Sequence, residues 1–380
     1  MNNKIGVNPL KARQFNRQLI LQYIRLQPNI SRVEIARAIE LSAPSVTNIT
    51  NDLINEGYVI ETHRKTTQRG QPAVGLAINN KKFYTIGLHF DHHFHHGVLT
   101  NLAGDIVAEE KQTSKDTSAI FMHMYEQLSQ KIPRKGELIG VGISSMGPIL
   151  DPTKDNRDIQ SPNIRIFDFV EKISAQTHHP IYIENSATTA AIGEFWYGKG
   201  FLTKNYLYLN IGYGLGGGLI INNQVYRGDT QNAGEIGHSN VVEDGRLCFC
   251  GAYGCLESYL SLNALIQELG DEYANPDYIL SQFHQNNPKL FLWLEYNLPL
   301  LAKVLVSATQ LMDINNIVIS GLLPPDIINW YIHNLPKYIE KYRIKTLPSK
   351  LNIIQGMNGP NLPALGAATL PAYSSLSPKI

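Results

Sequence analysis

At 380 residues the chain is long enough for two or three domains, and 43% hydrophobic with 17% charged residues is ordinary globular composition. No run approaches the roughly 18 apolar residues a membrane span needs, and the opening MNNKIGVNPLKARQFNRQ lacks the apolar core of a signal peptide, so the chain reads as cytoplasmic. Net charge is only +1, yet residues 1–80 hold ten Lys/Arg against five Asp/Glu, the asymmetry expected where one end meets a polyanion; a solvated basic face is the plainer account.

Residues 14–27 space Ile20, Tyr23 and Ile24 as a helix does, and Pro28-Asn29 breaks the pattern. Ser31 precedes Glu34 by three, a capping-box arrangement that opens a second helix with Val33, Ile35, Ala36 and Ile39 on its apolar side. After the turn Glu40-Leu41-Ser42, Ser42 is placed to cap a third helix from about Ala43 to Glu56, with Pro44 tolerated in its first turn. Val46, Ile49 and Leu53 face inward there, leaving Ser45, Thr47, Asn48 and Asn51 outward. Such side chains suit base edges in a major groove, so Ser42, Ala43, Ser45, Thr47, Asn48 and Asn51 are candidate DNA contacts of a helix-turn-helix. Generic three-helix packing is the competing account.

A strand at Gly57–Ile60 leads into His63, Arg64, Lys65, Gln68, Arg69, Gly70, Gln71 and Pro72, and a second strand runs from Ala73 to Ile78. This basic hairpin reads as a wing, with Arg69 and Gln71 as further DNA contacts and Arg69 suited to phosphate or minor groove. A basic linker is the alternative. The reading therefore divides the chain into a winged helix-turn-helix at 1–80 and a larger body at 81–380.

From Lys81 hairpins alternate with helices. Strands are expected at 83–89, 94–102, 106–110, 138–144, 181–184, 207–211 and 219–222, and a helix at 120–128. The pattern is α/β, read as two similar lobes around a cleft. The run Gly212-Tyr213-Gly214-Leu215-Gly216-Gly217-Gly218 is able to bring backbone N–H groups to a phosphate, although a tight hairpin without a ligand has the same composition. Histidines 89, 92, 93, 95 and 96 read as solvated hairpin residues, with a second metal or acidic-ligand site as the other reading.

The segment AGEIGH-x9-CFCGAYGCLE gathers His238, Cys248, Cys250 and Cys255, which uses all three cysteines of the chain. One imidazole and three thiols form a Cys3His set for a closed structural Zn2+ site; three buried reduced cysteines are the alternative. Glu235 and Glu257 flank the cluster and suit carbohydrate hydroxyls, though each alone reads as a surface or capping residue.

Together these residues resemble the ROK family of bacterial sugar kinases and sugar-responsive repressors. The likeness covers nearly the whole chain: the RGQP wing, the IGYGLGGGLI loop, the E-x-G-H and C-x-C-G-x-x-G-C-x-E motifs and the terminal LPALGAATL. It implies an actin-like, sugar-kinase-like two-lobed fold and sugar contacts from Asn163, Asn185, Glu235, His238 and Glu257, with His238 also on zinc. The N-terminal module points to the repressor branch. Three departures bear on activity. His89-Phe90-Asp91-His92-His93-Phe94 lacks the glycines of the kinases' phosphate loop, Ser186 stands where their catalytic aspartate is expected, and the adenosine-side glycine pair reads Ser320-Gly321-Leu322-Leu323. No catalytic residue is assigned. The resemblance thus implies a repressor of carbohydrate genes that binds double-stranded operator DNA, takes a sugar or sugar phosphate as effector and works as a homodimer or homotetramer. A residual kinase, control by a sugar-transport protein, and a metal sensor using the histidine stretch are its rivals.

Overall fold

The computed structural model describes residues 9–63, 74–90, 94–113, 117–147, 170, 174–198, 203–346, 350–359 and 361–376. Compactness divides the chain elsewhere than composition does. One unit comprises 1–143, 168–183 and 367–380, and the other 144–167 and 184–366.

The first unit opens with α1 (Pro9–Leu26), β1 (Ile30–Ser31), α2 (Arg32–Ala38) and α3 (Ala43–Asn55), followed by β2 (Val59–His63) and β3 (Val74–Ile78). The local signals act as expected. Ser31 accepts from Glu34 N–H while the Glu34 carboxylate takes Ser31 N–H at 2.8 Å. Ser42 caps α3 by accepting from Ser45 N–H at 3.3 Å. The three strands pair antiparallel in the order β1-β3-β2, so the hairpin expected as a wing is a hairpin. Strand β1 was not expected: Pro28-Asn29 reads only as a break, yet Asn29 takes positive φ and Ile30 then pairs with Leu76.

Behind α3, Ile20, Ile24, Ile35, Val46, Ile49 and Leu53 join Leu76, Phe83, Leu102 and Ala372 in one apolar cluster. The module at 1–80 therefore shares its core with the residues that follow it. A five-stranded sheet, order β6-β5-β4-β7-β8, comprises β4 (Phe83–Phe90), β5 (His95–Asn101), β6 (Ile106–Gln112), β7 (Glu137–Ser145) and β8 (Ile181–Asn185). Helix α4 (Thr117–Ser129) supplies Phe121, Met124 and Leu128 to the apolar core beside these strands.

The histidine stretch departs from expectation. His89, His95 and His96 are buried rather than solvated, because β4 and β5 pair through to Phe90 and His95 and carry the rings into the sheet. His92 and His93 lie outside the described residues.

The second unit holds α5 (Ser186–Tyr197), β9 (Tyr206–Ile211), β10 (Leu215–Ile221), β11 (Gln224–Tyr226), α6 (Leu262–Leu269), α7 (Pro276–His284), α8 (Pro288–Met312), β12 (Asn316–Gly321), α9 (Pro325–Tyr342) and β13 (Asn352–Gln355). Its sheet has the order β11-β10-β9-β12-β13, antiparallel through β9 and parallel beyond. Helix α8 is long and apolar enough by composition to cross a membrane, but Leu290, Trp293, Leu294, Leu301 and Leu305 are packed in the core of this unit. Helix α10 (Leu362–Leu376) ends the described chain and is buried over residues 362–372.

The glycine run is a tight bend at residues 212–214 followed by strand. Gly216, Gly217 and Gly218 lie within β10, where an added Cβ would approach Ala187 Cβ to 2.7 Å, Gly234 O to 2.8 Å and Ala191 Cβ to 2.5 Å. Close packing of α5 and the 234 loop on β10 accounts for these glycines without a phosphate.

Candidate functional site

The exposed side of α3 carries Ser42, Ala43, Thr47, Asn48 and Asn51, with Ser45 half-buried. Part of this polar set is engaged at home. The Ser42 and Ser45 hydroxyls lie 2.8 Å apart, and Thr47 Oγ1 donates to Ala43 O at 2.8 Å. Asn51 Oδ1 accepts from Arg32 at 3.1 Å, whereas the Asn48 side chain makes no hydrogen bond among the described residues. Arg69 and Gln71 lie outside the described residues. Sequence reasoning missed Arg32. Its guanidinium also reaches Thr50 Oγ1 at 3.0 Å and Glu61 at 2.9 Å, so one side chain links α2, α3 and β2. Nothing local marks it, since these partners are 18 to 29 residues away.

The second cluster forms within the second unit. Asn185 caps α5, its Oδ1 accepting from Ala187 N–H at 2.8 Å and Thr188 N–H at 3.4 Å. A Cβ at Gly147 would collide with Asn185 Nδ2 and stand 3.3 Å from Glu235 Oε1, so Asn185 and Glu235 flank that glycine. Glu235 precedes a 3₁₀ turn, Ile236–His238, whose tight advance sets Glu235 Oε2 3.6 Å from His238 Nε2. Burial pushes the Glu235 carboxyl above its ordinary value; His238 opposes that shift and Glu257 adds to it. Glu257 accepts Leu215 N–H at 2.8 Å, and its other oxygen is 3.9 Å from Cys248 Sγ. Asn163 lies outside the described residues. Asn185, Glu235, His238 and Glu257 are thus assembled by contacts inside one unit, although 72 positions separate the first from the last.

The cysteine loop supplies a metal-type donor set. His238 Nδ1 is 3.6 Å from Cys248 Sγ, Cys250 and Cys255 sulfurs are 3.7 Å apart, and the four donor atoms all lie within 4.8 Å of one another. Tetrahedral thiolate ligation at about 2.3 Å requires donor separations of roughly 3.7 Å, so the residues fit one such ion. Burial raises both the Cys248 and the Cys255 thiols, the latter to about 12; holding these groups as thiolates is costly without a cation. The loop closes through Gly251 N–H to Cys248 O at 2.9 Å and Cys248 N–H to Ala252 O at 2.7 Å. Gly254 has φ +72°, and any Cβ there would strike Val242 O; only glycine passes the chain at that point.

Comparison with known proteins gives the family and the fold. The sequence model of the ROK family matches residues 85–373, and a winged helix-turn-helix DNA-binding model matches residues 16–60. The xylose repressor of Bacillus subtilis (strain 168) is 31% identical over 286 residues, 73% of this chain and 74% of that protein. The xylose repressor of Caldicellulosiruptor bescii is 30% identical over 268 residues, 68% of this chain and 67% of that one. Among solved structures, a transcriptional regulator described as a homolog of E. coli MLC protein superposes with a TM-score of 0.73 at 22% identity, covering 96% of this chain and 98% of its own. That last likeness is one of fold.

Proposed function

The chain belongs to the ROK family, and on that premise we propose that it is a sugar-responsive, DNA-binding transcriptional repressor of carbohydrate uptake or catabolism genes. The observation that carries this reading is the grouping of Asn185, Glu235, His238 and Glu257 in a chain that also presents a capped helix with an exposed polar face. An amide, two carboxylates and an imidazole offer the mixed donors and acceptors that sugar hydroxyls require. Asn163 is assigned to the same site on the family resemblance.

Zinc is the ion we assign to His238, Cys248, Cys250 and Cys255. Four protein ligands leave no position for water, so the role is structural. His238 would hold the ion through Nδ1, the nitrogen that faces Cys248, and its Nε2 would then remain as an N–H toward Glu235. The protein's own residues then hold the site: Leu215 N–H orients Glu257, and Glu235 meets His238.

Phosphoryl transfer is not part of the proposal. Ser186 lacks a carboxylate to take a proton from a sugar hydroxyl, and the stretch 89–94 has no glycine for close phosphate approach. Operator contacts are assigned to Ser42, Ala43, Ser45, Thr47, Asn48, Asn51, Arg69 and Gln71, with paired recognition helices of a cytoplasmic homodimer or homotetramer on two half-sites. Sugar shifts the population between operator-bound and free states only by its differential affinity for them. The test selects binding sites from random duplex DNA, then follows release with D-xylose, N-acetylglucosamine, D-glucose and their phosphates. A selected site released by one of these sugars is the expected result. Failure to enrich any duplex overturns the reading.

A further inference from the structure

The buried carboxylate of Glu184 is not among the residues assigned to sugar, DNA or metal. It is 8% exposed and stands immediately before Asn185. Its two oxygens are both used. Oε1 accepts Asn185 N–H at 3.0 Å, and Oε2 accepts Arg227 Nε–H at 2.8 Å. The partners come from different parts of one unit: Glu184 is the penultimate residue of β8, and Arg227 follows β11 at the start of the loop that leads to Glu235. That loop is closed on the same residue, because Ala233 N–H donates to Arg227 O at 3.0 Å. It is then fastened to β10 through Gly217 N–H and Gly234 O at 2.9 Å. Glu235 is the next residue.

The amide of Asn185 is divided in the same manner. Its Oδ1 is spent on the first turn of α5, and its Nδ2 faces Gly147 beside Glu235. The register of Asn185 against Glu235 is therefore set from both sides by one ion pair. With Glu184 largely out of water, loss of the guanidinium leaves a charge without a counter-ion at the root of both elements.

We propose that Arg227 and Glu184 are positioning residues that fix the spacing between Asn185 and Glu235 and thereby decide which hydroxyl arrangement the site accepts. This rests on the reading of Asn185 and Glu235 as sugar contacts.

The test uses the full chain and three variants: Arg227→Met, which keeps length and removes charge; Arg227→Lys, which keeps charge; and Glu184→Gln, a near-isostere. Hydrogen exchange of the 185–190 segment and the affinity for D-xylose are measured, together with melting temperature and sugar-free binding to a selected operator. Arg227→Met and Glu184→Gln are expected to speed exchange in 185–190 and to weaken D-xylose about tenfold or more, with operator binding within about twofold of the parent. Arg227→Lys is expected to recover part of both losses. Unchanged exchange in 185–190 for both charge-removing variants overturns the proposal. So does a loss of melting temperature and operator binding that the lysine variant shares in full, because that marks a general structural role. If the parent chain binds no D-xylose, the sugar reading fails for that sugar, while the exchange measurement still decides whether the ion pair positions Asn185.

Discussion

Glu235 and His238 face one another across 3.6 Å, carboxylate to Nε2, while the opposite nitrogen of the same ring looks toward Cys248. The imidazole thus joins the carboxylate site to the cysteine loop. Purified protein is expected to hold about one zinc per chain. Cys255→Ser is expected to abolish that stoichiometry and to blunt the sugar response more than operator binding, since α3 and its caps lie in the other unit. Elemental analysis alongside operator binding with and without sugar checks both. Full zinc content in Cys255→Ser counts against the ligand set.

On the DNA side, specificity and affinity should separate. Asn48 is exposed and offers a free amide on α3, so Asn48→Ala is expected to cost about 1–3 kcal/mol at one base position and to relax preference there. Arg69 belongs to the basic hairpin read from sequence. Arg69→Ala is expected to weaken binding evenly across sequences and to lower the slope of log affinity against log salt by about one. Binding isotherms at several salt concentrations on matched and mutated sites discriminate. An Arg69→Ala slope equal to the parent's removes the wing contact.

What was legible in the sequence was whatever acts locally. Ser31 with Glu34, Ser42 with Pro44, and the cysteine spacing each settle their geometry within a dozen residues, and the helices and metal-type cluster follow. Long-range partners were not legible. The glycines of β10 carry the composition of a phosphate loop, and only the approach of Ala187 and Ala191 shows them to be strand glycines under a helix. His96 reads as solvated, and only the pairing of β5 between β4 and β6 sets it among His89, Glu109 and Lys111. Arg227 carries no signal at all, because its partner stands 43 positions earlier. Glu235 and Glu257 were marked only by standing beside the cysteine cluster, and Asn185 entered through family likeness alone.

His96 gives the fold a pH dependence whose sign is fixed. His96 is 1% exposed, lies across from His89 and Lys111, and meets Glu109 at 3.3 Å. Burial lowers its pKa from the ordinary 6.5, Lys111 and His89 lower it further, and Glu109 opposes them. Above about pH 6.5 the ring is neutral folded or unfolded; below that, the unfolded chain takes the proton more readily, so stability declines as pH falls toward the folded value. His179 is lowered by burial in the same sense. His96→Gln is expected to flatten, without removing, the fall in urea midpoint between about pH 7 and pH 5. An unaltered slope shows that His96 is protonated equally in both states.

Phosphoryl transfer is expected to fail at Ser186. Ser186 opens α5 directly after the Asn185 cap, and its carbonyl accepts the Thr189 hydroxyl at 2.8 Å. A serine hydroxyl is too weak a base to deprotonate a sugar near neutral pH. ADP release from ATP with D-xylose, N-acetylglucosamine or D-glucose should therefore not exceed the buffer rate. Ser186→Asp places a carboxylate where a helix N-terminus favours negative charge, so that variant should melt no lower than the parent. It should still fail to turn over, because the stretch after β4 retains no glycine to admit a phosphate. Turnover by the parent at about 1 per second or faster would make the chain a kinase that carries a DNA-binding module. Turnover gained only in Ser186→Asp would instead locate the whole deficit at that one position and show the phosphate side to be intact.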